Sequence, residues 1–62
     1  MSALRQTYEL YLEGEHGPPS FEAVLCASRA EVIDVARRLL ADRDLKAVEV
    51  RQFGEHLFTL AS

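Results

Sequence analysis

The sequence predicts an α+β domain in which a four-stranded antiparallel sheet carries one helix packed on one face. Three observations predict it. Apolar residues recur at helical spacing from Arg29 to Arg43, and the segments on either side alternate with a period of two. A chain of 62 residues also leaves room for only one sheet layer and one helix around a single core. The order is β-β-α-β-β, within a single domain spanning residues 1–62.

The first strand is expected over residues 4–13. Leu4, Gln6, Tyr8, Leu10 and Leu12 take one side, and Arg5, Thr7, Glu9, Tyr11 and Glu13 the other, the pattern of a half-buried strand. Gly14-Glu15-His16-Gly17-Pro18-Pro19 ends it, because two glycines and two prolines do not sustain a ladder. A second strand is expected over 20–27, with Phe21, Ala23 and Leu25 facing the core. Val24 and Cys26 then fall on the opposite side, which makes this strand apolar on both faces.

The helix is expected over 29–43. Ser28 is a favourable N-cap and Glu31 follows three residues later, the spacing of a capping box. Val32, Ile33, Ala36, Leu39 and Leu40 form its apolar stripe with Val35 at the flank, and basic residues gather toward its C-terminal end. Strands over 46–52 and 56–61 complete the fold as a hairpin. A two-residue Gly54-Glu55 loop would set Val50 opposite Thr59 and mix the faces. A three- or five-residue loop, or one bulge, sets Val50 opposite Phe58 and Val48 opposite Leu60. The odd loop is the expectation, and it leaves Phe53 exposed near the tip.

Placing strand 1 between strands 2 and 3 makes every neighbour antiparallel, so the expected order is 2-1-3-4. The expected core is Tyr8, Leu10, Leu12, Phe21, Leu25, Val32, Ile33, Ala36, Leu39, Leu40, Val48, Val50, Phe58 and Leu60. Tyr11, Val24, Cys26 and Leu57 are expected on the face that the helix does not cover, where a cluster would mark an interface.

Composition narrows the function classes. The net charge of −3 resides in the first half of the chain: Glu9, Glu13, Glu15 and Glu22 oppose Arg5 alone, whereas residues 29–62 balance six acids with six bases. That disfavours general binding of a phosphate backbone, which needs a basic stripe, and favours a partner with a basic surface. Arg37, Arg38, Arg43 and Lys46 are interleaved with Asp34, Asp42 and Asp44, as on a solvated helix face. The opening residues Met1–Gln6 lack an apolar signal region and no run suffices for a membrane span, so the expected location is cytoplasmic.

Cys26 is the only cysteine, so no disulfide within the chain staples the fold, and no Cys/His set has structural-zinc spacing. Small domains without such staples often self-associate, so a homodimer is plausible. Gly-Glu-His occurs at Gly14–His16 and again at Gly54–His56. A metal or acid–base role for His16 and His56 would require the two loops to meet in space. Cys26 precedes a helix N-cap, where a lowered pKa is possible, but its strand context suits a small buried hydrophobe. No catalytic residue, cofactor site or metal site is therefore expected.

The expected function is a small, non-catalytic protein-interaction module of the inhibitor or adaptor type. It would act through the uncovered sheet face, a strand edge or the 14–19 loop. Its candidate contact residues are Glu9, Tyr11, Glu13, Glu15, His16, Val24, Phe53 and Leu57. In size, mild acidity and hairpin–helix–hairpin layout the chain resembles small phage-encoded inhibitors of bacterial defence, anti-CRISPR proteins among them. It is also similar in outline to antitoxin domains of the hairpin–helix–strand kind. Both resemblances rest on architecture, so no site residue carries over. The alternative is a nucleic-acid-binding or antitoxin-like regulatory module using Arg37, Arg38, Arg43 and Lys46, together with Arg51.

Overall fold

The computed structural model describes residues 4–62. Four strands and one helix follow in the predicted sequence: β1 (Gln6–Glu13), β2 (Ser20–Cys26), α1 (Arg29–Asp42), β3 (Ala47–Gln52) and β4 (Glu55–Ala61). The strands form one antiparallel sheet in the order β2-β1-β3-β4. The alternation of β1 makes it a central strand. Tyr8, Leu10 and Leu12 point under the helix and are buried, and Val48 and Val50 of β3 lie opposite Leu12 and Leu10. Val32 and Ala36 of α1 close this layer from above, and Cys26 completes the buried set.

Around that centre pack Val24, Val35, Leu39, Leu40, Leu45, Leu57, Phe58 and Leu60. Ile33, expected in the core, is half-buried and lies outside this cluster. It sits about 100° round the helix from Val32, beyond the stripe that Val32, Val35, Ala36 and Leu39 turn toward the sheet. Val35 takes the place expected of it.

Strand β2 faces the opposite way from expectation. Its register sets Tyr8 opposite Val24, Leu10 opposite Glu22 and Gln6 opposite Cys26. Residues directly opposite in an antiparallel pair share a face, so the even-numbered residues of β2 lie on the helix side. Phe21 and Leu25 accordingly leave the predicted core for the open side, where they are 54% and 60% exposed. Val24 and Cys26, expected on the open side, pack with the core instead. The cause is the register set by the Gly14–Pro19 loop, acting on a strand whose two faces are both apolar.

The second hairpin reaches the expected pairing by the bulge rather than by an odd loop. Val50 lies opposite Phe58 and Val48 opposite Leu60, across a two-residue Phe53-Gly54 turn. The register shifts between Val50 and Arg51, so Leu57 is the extra residue on β4. A bulge turns two consecutive side chains away from strict alternation. Leu57 therefore packs against the core with Phe58, a correction to its expected place on the open face.

The helix begins as its sequence dictates. Ser28 is extended (φ −154°, ψ 165°), and its Oγ accepts a hydrogen bond from the Glu31 N–H at 3.2 Å. The Glu31 carboxylate accepts from the Ala27 N–H at 2.7 Å, one residue before the cap. The C-terminus closes in a Schellman arrangement: Asp44 N–H donates to Ala41 O and Leu45 N–H to Leu40 O. This turn needs a left-handed residue, and Asp44 supplies it at φ 52°. Leu45 then packs back on the core. The last helical turn carries no basic residue, contrary to expectation; Arg43 is the C-cap, and its guanidinium pairs with Glu22 on β2. No helix among the described residues is long and apolar enough to cross a membrane.

Candidate interaction face

With α1 on one side, the other side of the sheet is open to solvent, and the registers define it row by row. One row runs Phe21, Tyr11, Glu49, Thr59 across β2, β1, β3 and β4; the next runs Ala23, Glu9, Arg51, His56. Glu13, Ala47 and Ala61 form a third row toward the Gly14–Pro19 loop. The face is therefore graded. Its β2 side is aromatic and aliphatic, and its β1 and β3 centre sets three carboxylates, Glu9, Glu13 and Glu49, against one guanidinium, Arg51.

Tyr11 is the pivot. Its ring meets that of Phe21 with centroids 5.2 Å apart and planes tilted by 58°, within the favoured range for aromatic pairs. The Arg51 guanidinium carbon lies 5.6 Å from the Tyr11 ring centroid, a cation–π distance. Arg51 is held there because its Nε donates to Glu49 Oε2 at 2.9 Å, and this contact raises an already high pKa. Neighbours on two strands thus fix the half-buried tyrosine ring, which reduces the side-chain entropy that docking a partner would cost.

Beside Tyr11 lies a groove of about 260 Å³, lined by Tyr11, Glu13, Pro19, Ala47, Glu49 and Thr59. Its surface is largely apolar, and its lining includes the acidic residues Glu13 and Glu49. A lysine or arginine side chain suits such a groove, because its aliphatic stem covers apolar surface while the cationic head reaches a carboxylate.

The candidate contact residues divide by position. Glu9, Tyr11 and Glu13 lie together on the open face. Glu15 and His16 are exposed in the adjoining loop, and Val24 and Leu57 face the core. Phe53 is 87% exposed at the tip of the β3–β4 turn. That turn lies at the far end of the sheet from the Gly14–Pro19 loop, because Glu13 is opposite Ala47, the first residue of β3. The same topology separates His16 from His56, whose Nε2 is 2.9 Å from Thr59 Oγ1. Among the described residues no group of three or more His, Cys, Asp or Glu side chains is arranged to hold a metal ion. The Cys26 thiol is buried and pushed above its ordinary 9.0, first by burial and then by the Glu31 carboxylate, with Arg5 opposing. The thiol is therefore protonated at neutral pH.

Sequence reasoning missed Phe21, Pro19, Ala47, Glu49, Arg51 and Thr59 as members of this face. The parity that exposes Phe21 depends on a register that the Gly14–Pro19 loop alone does not reveal. Glu49 and Arg51 were legible as outward residues of β3, but their grouping around Tyr11 needed the strand order and register together. No family model, curated protein or solved structure matches the chain.

Proposed function

We infer that this chain is a non-catalytic, cytoplasmic protein-interaction module of the inhibitor or adaptor type. It docks a protein partner on the open face of its sheet. The observation that carries this reading is the Tyr11–Phe21 pair on the open face, beside a groove lined in part by Glu13 and Glu49. Aromatic anchors surrounded by polar residues are the usual composition of a binding hot spot. The partner offers a basic side chain flanked by apolar surface. Glu9 and Glu13 steer it, Tyr11 and Phe21 hold it, and the protonated, buried Cys26 takes no part. Resemblance in size, acidity and layout to phage-encoded anti-defence inhibitors supports the inhibitor form of this reading.

The competing nucleic-acid reading draws less support from the same geometry. Arg43 is paired with Glu22 and Arg51 with Glu49, which leaves Arg37, Arg38 and Lys46 among alternating acids. The test is photo-cross-linking in the native host, with p-benzoylphenylalanine placed at Tyr11 in one variant and at Arg37 in another. Covalent capture of a protein from the Tyr11 position and not from the Arg37 position is expected. Capture from Arg37 alone, or capture of nucleic acid, overturns the reading.

A further inference from the structure

The two edges of this sheet are not alike. At β4 the edge is interrupted by the bulge at Leu57, and such interruptions discourage a further strand from pairing. At β2 the register runs without a shift from Cys26 to Ser20. The strand reads Ser-Phe-Glu-Ala-Val-Leu-Cys, with no proline, no lysine and one charged residue, Glu22. Of the usual devices that blunt an exposed edge it carries only one, the helix-side charge of Glu22, which Arg43 pairs. Phe21 and Leu25 stand exposed on its open side, on either side of the small Ala23.

We propose that β2 pairs antiparallel with β2 of a second copy of this chain, about a two-fold axis at Ala23, to make a continuous eight-stranded sheet. The register follows from the sequence of the strand. Ala23 is its midpoint, so pairing about it engages all seven residues from Ser20 to Cys26. It sets Phe21 opposite the partner's Leu25, and Leu25 opposite the partner's Phe21. Both apolar pairs lie on the open side, with Ala23 facing its own copy between them. Glu22 falls opposite the partner's Val24, so the acids are kept apart. Centring on Glu22 would instead oppose two carboxylates, which is destabilising. An odd register would place Phe21 opposite the partner's Val24 and turn the two helices to opposite sides of the sheet, because residues directly opposite share a face. Pairing about Ala23 keeps both helices on one side and joins the two open faces. The dimer shares Phe21 with the docking face, but it forms along the β2 edge and needs no other partner.

Sedimentation equilibrium of the full chain from about 1 μM to about 1 mM tests the association. The weight-average mass should rise from 7.0 kDa toward twice that value. Ala23→Glu and Ala23→Lys each place like charges at the two-fold axis and should each weaken the dimer by roughly tenfold or more. An equimolar mixture of the two variants should restore it. The contact is identified by isotope-filtered NMR on a mixture of labelled and unlabelled chains, as a nuclear Overhauser effect between the Phe21 ring and the Leu25 methyls. Within one chain these residues lie four positions apart on a strand, about 13 Å, too far for that signal. A mass that stays at 7.0 kDa throughout overturns the proposal. So does a dimer that Ala23→Glu leaves intact, or one without the Phe21–Leu25 signal.

Discussion

Cys26 shows how one side chain is settled by its surroundings rather than by its type. In sequence it precedes a helix N-cap, a position that can stabilise a thiolate; in the fold it is buried beside Glu31, and both effects favour the protonated form. The consequence for stability has a definite sign. The folded-state pKa lies above the unfolded value, so the contribution of this group is complete below pH 9.0. As pH rises past that value the unfolded chain releases its thiol proton first, and stability falls until the folded thiol titrates. Urea denaturation between about pH 8 and about pH 10.5 should therefore show a steeper loss for the wild type than for Cys26→Ala. Equal slopes would show that Cys26 is not shielded as described. Tyr11 is the counterpart on the other face, a residue legible as outward-pointing from alternation alone, although its contacts with Phe21 and Arg51 were not.

At the scale of elements, legibility follows how differently the two sides of each element are composed. Strands β1 and β3 alternate apolar with polar, so burying the wrong side would expose Leu10 or Val50, and the sequence admits one facing. Helix α1 is equally clear because a capping residue and an apolar stripe agree. Strand β2 carries apolar residues on both sides, Phe21, Ala23 and Leu25 on one and Val24 and Cys26 on the other, so its composition does not exclude either facing. The loop decides, and it decides for Val24 and Cys26. The bulge of β4 is hidden for the same reason, since Leu57 and Phe58 are both apolar and neither announces which is the extra residue. The β3–β4 turn carries a cost of its own. Phe53 at φ 54° and Gly54 at φ 78° meet the requirement of a type I′ turn for two left-handed residues. Glycine adopts that conformation freely, but for an ordinary side chain it costs roughly 1–2 kcal/mol. Phe53→Asn should raise the free energy of unfolding by about 1 kcal/mol, because asparagine tolerates the left-handed region and Asn-Gly is a preferred type I′ pair. Chemical denaturation with an unchanged slope would register the gain, and a loss of stability would show that the Phe53 ring makes contacts the fold relies on.

For the whole molecule, the division of labour between the two sides of the sheet carries the account. One side is closed by α1 over Leu10, Leu12, Val48 and Val50, and among the described residues no second helix closes the other. The inversion of β2 enriches the open side, because it moves Phe21 there opposite Tyr11 and Leu25 there opposite Thr7. The acidic first half, legible in the sequence, thus contributes Glu9 and Glu13 to the face that the apolar residues define. Amide chemical-shift mapping of the isotope-labelled chain, on addition of the protein captured from the Tyr11 position, tests this most directly. The account predicts perturbations at Glu9–Glu13, Phe21–Leu25 and Glu49–Arg51, with the helix amides of Arg37 and Arg38 unmoved. Perturbations confined to Arg37, Arg38, Arg43 and Lys46 would contradict it.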